Sequence, residues 1–131
     1  MHILLCINLL AADLIMLHIR QAIKIAGTSK HKQRVGAIVA RGSRVISSGA
    51  NSYKTHPRST SPYKTTHAEF SAILRANKNL SGATLYVVRL LATGELGLAK
   101  PCQSCRRFIE EMNLKKIIYS THNGFEEESL Y

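Results

Sequence analysis

"RVGAIVARGSRVISSGAN", residues 34–51, is the stretch of sequence that decides the fold. It contains two runs rich in β-branched and small residues, 34–40 and 44–49, separated by the triplet Arg41-Gly42-Ser43. Two such runs joined by a short turn containing glycine are typical of a β-hairpin. The sequence therefore predicts a pair of antiparallel strands in the first half of the chain.

Helices and further strands are predicted on both sides of this hairpin. A helix from about residue 12 to 26, ended by Gly27, precedes it because apolar residues recur there at helical spacing. A long loop at 51–66, with two prolines and no apolar periodicity, follows it. The later elements are, in chain order, a helix at 67–77, a strand at 83–91, a loop at 92–100, a helix from Cys102 to Met112, a strand at 115–120 and an acidic tail. The order α-β-β-α-β-α-β predicts the α/β class, with a mixed central sheet and helices packed on its faces.

Composition predicts a globular protein rather than a disordered one. The chain has 131 residues, of which 45% are hydrophobic and 20% charged, which is enough for a single domain with a real core. It has three cysteines, an odd number, and two of them are spaced CxxC. This pattern argues against a secreted disulfide framework and favours a reducing compartment, so we expect a cytoplasmic protein.

Positive charge is concentrated in the first half of the chain. The net charge is +10, and the residues between Leu14 and Ala68 include ten lysines or arginines and no acid. Such a basic region favours an anionic partner, which could be a nucleotide, a nucleic acid or an acidic surface. A solvated basic face without any partner has the same composition, and composition does not choose between these readings.

The N-terminal stretch is apolar but does not fit a membrane segment. Asn8 and Asp13 interrupt it, and no basic region precedes it, so neither a signal peptide nor a spanning helix is expected. We interpret residues 1–15 as an N-terminal apolar extension, either upstream of a start at Met16 or docked as a helix, and residues 16–131 as a single domain.

Two short motifs carry the chemistry. Cys102 and Cys105 are three residues apart, so one helical turn would point both sulfurs the same way, with Pro101 in its first turn. A helix N-terminus is expected to lower the pKa of these thiols. His67, at the start of another predicted helix, would give zinc a third ligand, and three ligands leave a fourth position for water. Glu69 would then reach that water as a general base rather than as a ligand.

Less specific interpretations of the same residues exist. The three residues could form a structural zinc site with Cys6, His56 or His122 as a fourth ligand, although the positions of Glu69 and Pro101 would then be unexplained. A redox CxxC is disfavoured because no thioredoxin-like βαβ unit precedes it. Asn51 could be only a turn former at the end of a strand.

The sequence resembles the zinc-dependent cytidine and deoxycytidylate deaminase superfamily. The resemblance rests on the signature HxE…PCxxC, which is present as His67-Ala68-Glu69 and 101–105, with a predicted strand between the two halves. The hairpin that ends in Gly-x-Asn is similar to the strand pair of that family. The similarity extends from Arg20 to Ser120 and implies a cytidine-deaminase-like, three-layer α/β/α fold.

The resemblance also implies a reaction, hydrolytic deamination by a hydrolase acting on C–N bonds of cyclic amidines. Zinc-bound hydroxide would attack C4 of cytosine or C6 of adenine, and Glu69 would move protons from water to the ring nitrogen and to the departing ammonia. Asn51 corresponds to the asparagine that holds the sugar or the base. The backbone N–H of Ala68 would face the pyrimidine carbonyl.

The loop between Asn51 and His67 is expected to border the substrate pocket. Its cations suit a phosphate, and its tyrosines could stack on a base or a sugar. The "KTHP" run at 54–57 is similar to loops of deaminase-like phage proteins. The expected substrate-binding residues in this loop are Tyr53, Lys54, His56, Arg58 and Lys64.

These features rank three functions. The first is a zinc-dependent deaminase that converts cytosine to uracil in a nucleotide or nucleoside, of the dCMP or deoxycytidine type, since His67 stands where compact free-cytidine enzymes usually have cysteine. The second is an editing deaminase acting on cytosine in single-stranded DNA or RNA, or on adenosine in tRNA. The third is a non-catalytic, zinc-stabilised nucleic-acid-binding module. The short tail after residue 120 predicts a sheet that is cut short or completed by a partner chain, which would make the protein a homo-oligomer.

Overall fold

Three helices and six strands make up the part of the chain that the structure describes. The structure is a computed structural model that describes residues 2–52, 67–76 and 79–130, with side chains from Asp13 onward. The elements in chain order are α1 (His2–Gly27), β1 (Arg34–Arg41), β2 (Arg44–Ala50), α2 (Ala68–Ala76), β3 (Thr84–Leu90), β4 (Leu96–Gly97), α3 (Gln103–Glu111), β5 (Lys116–Thr121) and β6 (Gly124–Ser129).

The strands form one mixed sheet in the order β2-β1-β3-β5-β6, and the short β4 pairs with β3. β3 and β5 are parallel, and they are connected through α3. The other pairs are antiparallel, including the predicted hairpin of β1 and β2, which has an irregularity in register between Val39 and Ala40. The mixed sheet expected from the order of elements is therefore confirmed.

Helices cover both faces of this sheet and produce two apolar cores. On one face, Ile19 and Ala22 of α1 pack against Tyr86 and Val88 of β3. On the other face, buried residues of α2 and α3 pack against alternate residues of the same strands, such as Leu85. Because neighbouring strand residues point to opposite faces, each central strand contributes to both cores. This arrangement confirms the three-layer α/β/α architecture.

A glycine allows α1 to lie directly on the sheet. A Cβ atom at Gly36 of β1 would overlap the backbone of Ala22 and Ala26 in α1. Only a residue without a side chain permits this approach, so Gly36 determines how closely α1 packs on β1.

The first helix is longer than the sequence predicted. α1 begins at His2 rather than at about residue 12, because Asn8 and Asp13 are polar but do not break a helix that is otherwise continuous. No helix within the described residues is long and apolar enough to cross a membrane. The division of the chain into 1–15 and 16–131 stays a prediction.

Two strands were not predicted. The loop at 92–100 contains the two-residue strand β4, and the acidic tail forms β6 along the outer side of β5. The prediction that the sheet is cut short after β5 is therefore wrong. Repulsion within the glutamates of β6 is offset because Lys116 pairs with Glu127 at 2.6 Å and Tyr119 donates to Glu126 at 2.7 Å.

The contact between Tyr119 and Glu126 makes the docking of β6 sensitive to high pH. The hydrogen bond to the Glu126 carboxylate, with burial and the charge of Glu128, raises the pKa of Tyr119 to about 12. An unfolded tyrosine ionises near 10, so the stabilisation is complete below about pH 10 and is lost as the pH rises through about 12. We expect the free energy of unfolding in urea to fall between pH 9.5 and about 11.5, and to fall less steeply in Tyr119→Phe. Equal slopes for the two proteins would contradict this assignment.

Candidate metal centre

The two sequence motifs meet at neighbouring helix starts on the same face of the sheet. His67 directly precedes α2, Cys102 caps α3, and Cys105 lies in the first turn of α3. Phe70 of α2 packs on Phe108 of α3 with ring centroids 4.6 Å apart, which holds the two helices together next to the motifs. The fold therefore brings together residues that are far apart in sequence.

His67 and the two cysteines converge through specific atoms. The Nδ1 atom of His67 lies 3.1 Å from the Sγ of Cys105 and 3.6 Å from the Sγ of Cys102. The three donor atoms all lie within 4.8 Å of one another. Tetrahedral zinc with ordinary bond lengths separates a nitrogen and a sulfur ligand by about 3.6 Å. The donor set and its spacing fit a zinc ion with a position open for a fourth ligand.

The electrostatics of Cys105 differ from the expectation for a thiol at a helix N-terminus. Burial, followed by the nearby Glu69 carboxylate and Cys102, raises the pKa of the Cys105 thiol far above its ordinary value. These effects outweigh the helix N-terminus, because a thiolate here would be desolvated beside another negative charge. A divalent cation would reverse that balance, which again fits a metal at this position.

The start of α3 also differs in detail from the sequence prediction. Cys102 is the N-cap, with an extended backbone at φ −68° and ψ 167°, and the helix proper begins at Gln103. Pro101 therefore precedes the cap instead of occupying the first turn. Cys102 is exposed and Cys105 is buried, so the pair spans the surface of the protein and its core.

Glu128 of β6 holds the segment that carries the cysteines from both sides. Its Oε2 atom lies 2.7 Å from Nη1 of Arg106, just after Cys105, and its Oε1 atom lies 3.9 Å from Nζ of Lys100, just before Pro101. The Arg106 contact is a short, hydrogen-bonded ion pair between side chains that are 28% and 30% exposed. The acidic tail strand thus stabilises the position of the CxxC motif.

Glu128→Gln is expected to lower the free energy of unfolding by about 1 kcal/mol, because it removes the charge of a partly buried ion pair. Urea unfolding of the zinc-loaded protein measures this. Glu95→Gln is the matched control, since Glu95 is exposed in the turn before β4 and has no ion pair among the described residues. Equal stability of both variants and the wild type would contradict a role for Glu128.

Glu69 lies beside the metal donors in a buried position. It is 6% exposed, and its carboxylate interacts with the Cys105 thiol. Burial raises the pKa of Glu69 above its ordinary value, while its own backbone N–H and the His67 ring act in the opposite direction. A carboxylate in such an environment can both accept and return a proton.

Asn51 is buried near the metal donors, and its side chain is held by three contacts. The Oδ1 atom accepts hydrogen bonds from the backbone N–H of Val35 at 2.9 Å and from the Ser29 hydroxyl at 2.7 Å. The Nδ2 atom donates to the carbonyl oxygen of Gln33. The bond from Val35 defines the orientation of the amide, so one N–H of Nδ2 is left for a ligand.

These residues share a cleft of about 640 Å³. Ala68, the first residue of α2, lines it, and the first turn of a helix leaves its N–H groups without intrahelical partners. The cleft also contains residues that the sequence analysis did not select, namely His31, Gln33, Val35, Arg89, Leu98, Ala99, Lys100, Gln103 and Ser104. Arg89 did have a signal in the sequence, because it is a charged residue within a strand that is otherwise apolar.

Several predicted residues are not among those that the structure describes. Tyr53, Lys54, His56, Arg58 and Lys64 lie outside the described residues, and so do the side-chain atoms of Cys6. Of the alternative fourth ligands for a structural zinc site, His122 is described, and it lies in the turn between β5 and β6 outside the three-residue cluster.

Comparison with known proteins gives the family. A family model described as the cytidine and deoxycytidylate deaminase zinc-binding region matches residues 13–121. This chain belongs to that family. The matched region contains both motifs, and a His/Cys/Cys cluster is present in the structure. The prediction of Zn²⁺ as the cofactor is confirmed by these two findings.

One related sequence is an uncharacterized deaminase in the luxG 3′ region of Aliivibrio fischeri. It is 29% identical to this member of the family over 92 residues, which cover 64% of the chain and 56% of the relative. The chain thus matches little more than half of the length of that protein.

Solved structures of family members share the fold. The cytidine deaminase of Burkholderia pseudomallei superimposes with a TM-score of 0.66 at 20% identity, covering 88% of this chain and 91% of that one. The dCMP deaminase of cyanophage S-TIM5, in complex with dCMP and dUMP, has a TM-score of 0.62 at 21% identity, covering 82% and 80%. The predicted cytidine-deaminase-like fold is therefore confirmed.

Proposed function

We propose that this protein is a zinc-dependent hydrolytic deaminase that converts cytosine to uracil in a nucleotide or nucleoside. The observation that carries the proposal is the convergence of His67, Cys102 and Cys105 beside a buried Glu69 in one cleft. A structural zinc site would not need an adjacent buried carboxylate, which is costly to desolvate. The family, whose description names cytidine and deoxycytidylate, supports cytosine as the base.

Three side chains would hold the zinc ion, His67 through Nδ1 and the two cysteines through their sulfurs. Bound zinc supplies a Lewis acid that lowers the pKa of a water molecule to near neutrality. The donors are fixed by the starts of α2 and α3, so the ion needs little rearrangement of the backbone.

Glu69 would act as the proton carrier. It accepts a proton from the water that attacks C4 and passes it to N3 of the ring. The same carboxyl then helps protonate the amino group, which leaves as ammonia while the C4 carbonyl forms. Because its pKa is raised by burial, the protonated carboxyl is stable enough to exist between these transfers.

Asn51 and Ala68 would orient the substrate. The Oδ1 atom of Asn51 is already occupied by Val35 and Ser29, so Asn51 can offer a substrate only an N–H donor. Its partner must therefore be an acceptor oxygen, such as a sugar hydroxyl or a base carbonyl. The unpaired N–H at the start of α2 is a donor for the pyrimidine carbonyl.

The experiment is a deamination panel with zinc content measured in parallel. The substrates are dCMP, deoxycytidine, cytidine, adenosine and single-stranded oligonucleotides, with ammonia release as the readout. Release from dCMP or a cytosine nucleoside supports the proposal. Release only from oligonucleotides, with a steep loss at higher salt, would overturn it in favour of an editing enzyme. Stoichiometric zinc without any turnover would overturn it in favour of a binding module.

A further inference from the structure

An arginine without a partner lies in the cleft. Arg89 is in the last part of β3, and alternation along that strand places it on the same face as Leu85 and Val87, the face covered by α2 and α3. Arg89 lines the cleft together with Glu69 and Asn51. No step proposed above uses this side chain.

The guanidinium of Arg89 is not neutralised within the described part of the protein. Its Nε atom is buried and has no hydrogen-bond partner. None of the ion pairs among the described residues includes it, whereas Lys100, another cation of the cleft, pairs with Glu128. Burying an unsatisfied donor on a charged group is costly, so an anionic ligand that restores its hydrogen bonds would be bound favourably.

The surroundings of Arg89 hold its backbone in place. Its backbone N–H donates to the Ser120 hydroxyl at 3.0 Å, and that hydroxyl donates to the Gly97 carbonyl oxygen at 2.8 Å. Gly97 is paired with Arg89 across β3 and β4, and a Cβ atom at Gly97 would lie 3.3 Å from Cδ of Arg89. The absence of a side chain at Gly97 therefore gives the aliphatic part of Arg89 its space.

The strand register relates Arg89 to Asn51. Val35 of β1 is directly opposite Arg89, and the backbone N–H of Val35 is bonded to Asn51. Adjacent strands are about 4.8 Å apart, so Arg89 and Asn51 lie on the two sides of Val35 at the same end of the sheet. A sugar beside Asn51 would have its phosphate within the reach of an arginine side chain from β3.

We propose that Arg89 binds the phosphate of the substrate, so that the cleft selects a cytosine nucleoside monophosphate over the free nucleoside. A guanidinium presents parallel N–H donors that match two phosphate oxygens, and this satisfies the buried Nε. The inference rests on the proposed function in one respect, which is that the base lies beside Glu69. Arg89 is thereby a specificity-determining residue.

The test compares Arg89→Met and Arg89→Lys with a matched control, Arg107→Met. Arg107 is exposed on α3, does not line the cleft and changes the net charge equally. We expect Arg89→Met to lower kcat/KM for dCMP about 100-fold and to leave kcat/KM for deoxycytidine within about threefold. Arg89→Lys should retain part of the dCMP activity, and Arg107→Met should change neither value. Equal losses on dCMP and deoxycytidine in Arg89→Met would overturn the proposal.

Binding of the products gives a second readout that does not require turnover. Calorimetry on the zinc-loaded protein should show that dUMP binds at least tenfold more tightly than deoxyuridine, and that Arg89→Met removes this difference. Equal affinities in the wild type would overturn the proposal. If dUMP binding depends on Arg89 but no cytosine substrate turns over, the proposed function fails while the phosphate site stands.

Two further controls keep the result decisive. Without phosphate, Arg89→Met should be at least as stable as the wild type in urea, because it removes an uncompensated charge. A marked loss of stability in both Arg89→Met and Arg89→Lys would assign a structural role to Arg89 and overturn the proposal. A short oligonucleotide containing cytosine distinguishes the source of the phosphate. Faster turnover of that oligonucleotide than of dCMP would also overturn selection for a monophosphate.

Discussion

Glu69→Gln is expected to lower kcat by about 10³-fold while leaving zinc content and the unfolding midpoint near those of the wild type. Glutamine has the shape and burial of glutamate, but it cannot accept the proton of the attacking water. Glu69 is 6% exposed beside the metal donors, so bulk water cannot replace it as the proton carrier. Ammonia release under saturating substrate, with zinc measured on the same samples, checks the result.

Glu95→Gln serves as the control for Glu69→Gln. Glu95 is exposed, and it does not line the cleft, so its substitution should leave kcat unchanged. A Glu69→Gln variant with zinc bound and full turnover would contradict the proposed mechanism. A variant that loses both zinc and turnover would show that Glu69 acts on the metal site instead of on the substrate.

Cys105→Ser is expected to weaken zinc binding at least about 100-fold and to reduce activity to background. Substitution of residues that only support a metal ligand costs 10- to 100-fold in affinity, and a ligand itself should cost more. Cys105 is buried between His67 and Glu69, where a serine hydroxyl would be a much weaker ligand for zinc. Zinc per chain after dialysis, measured by atomic spectroscopy, checks the result.

The thermal response of the variant gives an independent measurement. Zinc stabilises the folded state by mass action, so a chelator should lower the unfolding midpoint of the wild type and should not change that of Cys105→Ser. Cys6→Ser is the control, because it removes a thiol from α1, which packs on the opposite face of the sheet. Full zinc retention in Cys105→Ser would contradict the assigned role.

The comparison of sequence and structure separates local from non-local features. The hairpin at 34–50, α2 and α3 were predictable because their turn residues and apolar periodicity are contained within short windows. β6 was missed because three glutamates in a row have low strand propensity, and the strand forms only because Arg106, Lys116 and Tyr119 face it. β4 was missed because a two-residue strand has no period to detect.

The candidate site shows the same division. The motif spacing predicted His67, Glu69 and the two cysteines as one group, since each pair lies within one helical turn. Ser29, which holds Asn51, has no signal in the sequence, because its partner is 22 residues away. Arg89 could have been noticed as a charge within an apolar strand, but its position in the cleft depends on the pairing of β1 with β3.

The amino-acid sequence by itself determined the class of fold, the family and the identity of the metal-binding and proton-transfer groups. These properties depend on residue type and on spacing within single elements, which local geometry defines. Only the tertiary structure decided which polar groups are already occupied and which are left for a ligand. Asn51 is largely satisfied by the protein, whereas Arg89 is not. That difference arises from strand register and burial, which bring residues together over distances that no sequence period encodes.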